Sequence, residues 1–127
     1  MQKTRYLSLE EVLVLHSYQI EKFGGKQNIL DAKLLESAIA RPKTSLAGKD
    51  MFGTIFDKAS ILAHGIIQNH PFADGNKRTG MHAMLVFLKL NGITIDITNE
   101  TLIKLAFDIA NNEINPVETA KLIKSYI

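Results

Sequence analysis

The stretch HPFADGNKRTG, His70 to Gly80, separates two strongly apolar segments and decides how the chain is read. Pro71 cannot continue a helix, so the helix rising through Ile66 and Ile67 must end at about Asn69. A second helix begins near Asn76. Gly75, Asn76, Lys77 and Arg78 then occupy its first turn, where unpaired backbone N–H groups and the positive end of the helix dipole create a place for an anion. Gly75 allows close approach of the backbone. Lys77 and Arg78 add two charges at the same spot, and arginine can hold a phosphate through two parallel hydrogen bonds. The ligand that fits this set is a polyphosphate.

Asp74, one residue before that turn, carries the charge that a phosphate-bound Mg²⁺ seeks. Mg²⁺ commonly takes one or two carboxylates and fills its other positions with phosphate oxygens and water. His70 is left for proton transfer, as a base for a hydroxyl that attacks a phosphoryl group. Each residue has a plainer reading. Asp74 could equally serve only as the cap of the following helix. Lys77 and Arg78 alone would be solvated surface, and His70 alone a packed histidine at a helix end. Their joint placement around one helix start favours a site. Phe72 is expected to point into the core and pin the turn.

Working outward, helix punctuation recurs. Ser8 and Glu11 form a capping-box pattern before Leu9, Val12, Leu13, His16 and Ile20, and Gly24-Gly25 closes a helix placed at about residues 9–23. Asp31 caps a shorter helix that should stop before Pro42. Residues 43–53 read as a loop, either a flap over a site or a surface connection. A third helix starts at about Thr54. The segment from Arg78 to Leu90 is apolar almost all the way round and is expected to be the central, surrounded helix. Asn91-Gly92 stops it, and Ile93 to Ile97 alternates like a short extended segment. Thr98 caps a fifth helix, and Asn115-Pro116-Val117-Glu118 opens a sixth. The expected fold is all-α: one domain over residues 1–127, a bundle of about six helices around a central buried helix.

The composition fits one folded unit. Of 127 residues, 46% are hydrophobic and 22% charged, far from the signature of disorder. Lys+Arg number 15 against 13 Asp+Glu, too even a balance for non-specific binding to nucleic acid, so no direct DNA binding is expected and any anion site must be local. There is no cysteine, which excludes disulfides and thiolate metal sites and fits a reducing compartment. Glu10 and Glu11 interrupt what would be the apolar heart of a secretion signal. The longest apolar runs, such as that within Met81–Leu88, fall well short of the roughly 20 residues that span a bilayer. A cytoplasmic location is expected, without membrane contact.

Other templates fail on spacing. GNKRTG has two glycines five apart, but Met81 and His82 follow where a P-loop needs lysine and a hydroxyl residue. His64 and His70 lack the acidic neighbour of a zinc-binding HExxH helix. His16 and His82, on apolar helix faces, read as packed or partly exposed structural residues.

HPFADGNKR resembles the signature of the Fic fold, usually H-P-F-x-(D/E)-G-N-G-R-x-x-R. The resemblance extends to LSLEEVLVLH, the FGG after the first helix, LLESAIARP, and FLKLNGI beyond the motif. These are similar to the death-on-curing (Doc) branch, the toxins of bacterial toxin–antitoxin pairs. Two positions depart from the main pattern: Lys77 stands where adenylate-transferring members have the second glycine, and Met81 where they have a second arginine. In those members the missing side chain leaves room for the inner phosphates of the nucleotide, which a lysine would fill. The Doc branch shares the lysine and presents the terminal phosphate of ATP to the histidine.

The resemblance implies an ATP-dependent protein kinase of unusual fold. His70 would deprotonate the target hydroxyl, Asp74 would hold Mg²⁺, and Gly75, Asn76, Lys77 and Arg78 would grip phosphates, with His70, Asp74, Lys77 and Arg78 as the catalytic set. The implied substrate is a threonine of the elongation factor EF-Tu, so translation would be blocked. The alternatives are an adenylyltransferase of the same fold and a catalytically silent binding module. The inhibitory pattern (S/T)-x-x-x-E-(G/N) is approached only by Ser17 to Glu21, followed by Lys22. The implied inhibitor is therefore a separate, Phd-like antitoxin that lays a segment beside the site.

Overall fold

The capping box read from Ser8 and Glu11 is formed: Ser8 Oγ accepts from the Glu11 N–H at 3.1 Å, and the Glu11 carboxylate accepts from the Ser8 N–H at 2.9 Å. In the computed structural model, which describes residues 3–127, this box opens α1, Leu9–Phe23. Gly24, at φ 84°, ends it in a conformation that a side chain would disfavour. Asp31 caps α2, Ala32–Ala40, by accepting from the Leu34 N–H at 3.0 Å. The helix does not stop abruptly before Pro42. It tightens into a 3₁₀ turn, Arg41–Lys43, whose first residues tolerate proline because their N–H groups need no intrahelical partner.

Residues 43–53 are more ordered than a loop. Strands β1, Ser45–Leu46, and β2, Lys49–Asp50, pair antiparallel with Ser45 opposite Asp50 and Leu46 opposite Lys49. The two-residue turn places Ala47 at φ 52° and Gly48 at φ 79°, the positive values that a tight hairpin requires. The base of the hairpin is tied down by Lys58. Its side chain is buried, yet the ammonium reaches Asp50 Oδ2 at 3.1 Å and also donates to the Phe52 carbonyl.

Helix α3, Ile55–Asn69, begins with a second capping box between Thr54 and Asp57. It is more enclosed than any other helix: every residue from Lys58 to Ile67 is buried, and α2, α4, α5 and α6 all pack against it. The central position expected of the following helix therefore belongs to α3. Lys58, Ser60 and His64 give α3 the look of a helix with a wet face, but each side chain finds a partner, and only His64 Nδ1 among their polar atoms is left without one. Ser60 donates to the Pro116 carbonyl at 2.7 Å, and His64 Nε2 lies 2.9 Å from Thr119 Oγ1. Helix α4, Asn76–Leu90, buries Met81, Ala83, Met84, Phe87 and Leu88, while Arg78 and Lys89 stay exposed.

The α3–α4 crossing is close. A Cβ at Gly80 would meet Ile67 Cγ1 at 2.7 Å, so glycine is needed there for the helices to touch. Ile93 to Ile97 forms no helix and, among the described residues, pairs with no strand, although burial alternates along it. Ile95 turns inward, and the Asp96 N–H donates to the Tyr126 carbonyl at 2.8 Å. Thr98 caps α5, Asn99–Ala110, and Asn115 with Glu118 forms the capping box of α6, Pro116–Lys124. The described residues thus form an all-α bundle of six α-helices with one small hairpin. One core joins Leu62 and Ile66 to Met84, Phe87, Leu105, Ile109 and Ile123. Each side chain of that size contributes about 1.5–3 kcal/mol when fully buried.

Candidate functional site

The turn from His70 to Gly75 is held from three directions. His70 is the exposed C-terminal cap of α3, in the left-handed region at φ 50°, ψ 54°, uncommon for a residue with a side chain. That conformation turns the chain sharply, so Pro71 and Phe72 enter the core while the His70 imidazole stays outside. On one side residues 28–31 run alongside: the Leu30 N–H donates to the Pro71 carbonyl at 2.7 Å, and the Ala73 N–H donates to the Asn28 carbonyl at 2.9 Å. From below, Asn76 grips Phe72 twice. Its Oδ1 accepts from the Phe72 N–H at 3.0 Å, and its Nδ2 donates to the Phe72 carbonyl at 2.9 Å.

The third direction is α1 and the glycines after it. His16 is buried, stacks on Phe72 with ring centres 3.6 Å apart and planes 7° from parallel, and places Nε2 2.8 Å from the Asp74 carbonyl oxygen. Its pKa is lowered, chiefly by burial, against the smaller raising effect of that hydrogen bond. The Asp74 side chain is oriented by the Lys26 N–H, which donates to Oδ2 at 2.8 Å. Gly25 makes this possible, since a Cβ there would fall 2.9 Å from Asp74 Cβ. Asp74 therefore does not cap α4. The cap is Gly75, at φ 80°, with no side-chain hydrogen bond.

What remains faces a pocket of about 160 Å³ lined by His70, Ala73, Asp74, Gly75, Asn76, Lys77 and Arg78. All six residues singled out in the sequence line this one cavity. Among the described residues nothing accepts from the backbone N–H of Gly75, Asn76, Lys77 or Arg78. The pocket is smaller than the roughly 300–1,000 Å³ typical of sites that enclose a drug-sized molecule. It suits a phosphate chain, with the rest of a nucleotide lying outside. Asn76 contributes through its backbone, because its side chain is occupied with Phe72.

The two cations rest on aromatic rings from different helices. Lys77 Nζ sits 5.1 Å from the centre of the Phe107 ring, and Arg78 Cζ sits 5.1 Å from that of Phe23. Arg78 also reaches the Gly24 carbonyl at 3.4 Å. Among the described residues no three His, Asp or Glu side chains converge as a metal cage. Asp74 nevertheless suits Mg²⁺ carried in by phosphates, because a single carboxylate suffices and only its Oδ2 is engaged.

Lys26, Phe23 and Phe107 carry no signal in the sequence, and His16 reads there only as a structural residue on an apolar helix face. His16 carried a signal, a polar side chain in the apolar stripe of α1, which implies a buried partner. Nothing in the order of residues named that partner, 58 positions away.

The sequence is similar to known proteins. The profile of the Fic/DOC family matches residues 6–88. Toxin Doc of Mycolicibacterium smegmatis is 39% identical over 92 residues, covering 72% of this chain and 68% of that protein. Protein kinase doc of Escherichia phage P1 is 28% identical over 120 residues, 94% of each chain.

Proposed function

The chain belongs to the Fic/DOC family, and on that premise we propose that it is the toxin of a toxin–antitoxin pair and a protein kinase, moving the terminal phosphate of ATP to a hydroxyl of EF-Tu. The observation that supports this reading is the convergence of four unpartnered N–H groups, two cations, one carboxylate and one exposed imidazole on a single small pocket.

The target hydroxyl oxygen attacks the terminal phosphorus. A new O–P bond forms, the bond to the bridging oxygen breaks, and ADP leaves with the electron pair. His70 takes the hydroxyl proton. The N–H groups at the start of α4, with Lys77 and Arg78, hold the phosphate oxygens as charge redistributes, so position and electrostatics supply most of the acceleration. Mg²⁺, held by Asp74 and the phosphates, would supply neutralising charge. Lys77 supports phosphate rather than adenylate transfer, since it stands where adenylate-transferring members have a glycine and would take the space left there for the inner phosphates. Phosphorylated EF-Tu would halt translation in the cytoplasm. A Phd-like antitoxin would restrain the enzyme by covering the site. No helix of the described residues is long and apolar enough to cross a membrane.

The test is intact-mass analysis of EF-Tu incubated with the purified protein, ATP and Mg²⁺. A phosphate-sized increment is expected, absent with His70→Ala. An adenylate-sized increment, or none, would overturn the reading.

A further inference from the structure

We infer that His16 is a positioning residue for phosphate capture, which orients the Asp74–Gly75 peptide so that the Gly75 N–H is presented to the pocket. The inference rests on the proposed phosphate site and adds how that site is kept in shape.

A carbonyl oxygen can only accept, so the ring nitrogen 2.8 Å from the Asp74 oxygen must carry the hydrogen. His16 therefore carries its hydrogen on Nε2, and burial, which lowers its pKa, disfavours a second proton on Nδ1. In a planar trans peptide, C=O and N–H point in opposite directions. Drawing the Asp74 oxygen toward the buried imidazole turns the Gly75 N–H outward, to the side where Asp74, Gly75 and Asn76 line the cavity.

The alternative orientation is a real competitor. Glycine at φ 80° has no side chain to resist a flip of the peptide plane, and the flipped form would aim a carbonyl dipole at the incoming phosphates. One contact holds the imidazole in place against such a flip: it stacks face to face on Phe72, itself pinned by Asn76. No other side chain of the described residues donates to the Asp74 carbonyl.

The experiment measures binding of inorganic pyrophosphate and of ATP with Mg²⁺ to the purified protein by calorimetry, alongside the amide resonance of Gly75. His16→Phe keeps the aromatic stack and removes the donor. It is expected to melt within a few degrees of the unaltered protein, yet to bind both ligands at least tenfold more weakly, with the Gly75 amide no longer shifting on titration. His16→Gln, which restores an N–H at similar reach, is expected to recover most of that affinity. Equal affinity and an unchanged Gly75 response in His16→Phe would overturn the inference while leaving the phosphate site intact. Failure of the unaltered protein to bind either ligand would remove both. Should His16→Phe not fold, the ring nitrogens of the unaltered protein decide: an Nε2–H tautomer at neutral pH is required, and Nδ1–H would sink the inference.

Discussion

His64 on α3 lies with Nε2 2.9 Å from Thr119 Oγ1 on α6, and the direction of that hydrogen bond can be assigned. The Thr119 hydroxyl donates its one hydrogen to the Asn115 carbonyl at 3.0 Å, so it accepts from His64. The imidazole is then neutral, with Nδ1 bare and without a partner in the core.

Acid should loosen this joint. Burial, reinforced by the nearby Arg41, lowers the His64 pKa from 6.5 to about 4. The unfolded chain therefore binds this proton at a higher pH than the folded one does. The stability that His64 contributes is complete above pH 6.5, falls as pH drops toward 4 and levels off below, for a total of about 3 kcal/mol. Urea unfolding of the protein and of His64→Leu across that range checks this: the variant should show a shallower decline by about that amount.

Gly80→Ala should destabilise the α3–α4 contact. The added methyl would meet Ile67 Cγ1 at 2.7 Å inside the core, and overpacking of this kind costs about 1–3 kcal/mol, more than the helix propensity of alanine returns. Thermal melts are expected to show the loss, and Gly80→Ala should cost less when introduced into Ile67→Ala than into the unaltered protein.

Asn76→Ala removes two buried hydrogen bonds and leaves the Phe72 N–H and carbonyl without a side-chain partner. The expected cost is about 1–3 kcal/mol. Because Asn76 holds the turn between His70 and the α4 N-terminus, phosphate transfer should drop by more than the folded fraction explains. Activity normalised to folded protein by circular dichroism would measure the difference.

The anchor of the hairpin makes an ordering prediction. Lys58→Met exchanges a buried cation for an apolar side chain of similar length. It should release residues 45–53 to protease while changing global stability little. Asp50→Ala instead leaves the buried ammonium without its carboxylate and should lower the melting temperature more. Equal effects of the two substitutions would contradict the assigned pairing.

The sequence showed its local information well and its long-range information poorly. Caps at Ser8, Asp31, Thr98 and Asn115 were legible because each is made by residues three apart. The pocket was legible because its lining residues lie between His70 and Arg78. The central place of α3 was hidden by Lys58, Ser60 and His64, whose partners come from Asp50, Pro116 and Thr119. The alternation at Ile93–Ile97 matches an alternation in burial, but it carries no information about whether a neighbouring strand exists to pair with it.

The packing of α6 on α3 has a consequence for synthesis on the ribosome. Ser60 and His64 find their acceptors only at Pro116 and Thr119, more than fifty residues later in the chain. A nascent polypeptide therefore contains the whole His70–Arg78 segment before the helix that seals its supporting layer has been translated. Partial chains would carry the motif without the scaffold, and the layer beneath the pocket is complete only once α6 has emerged.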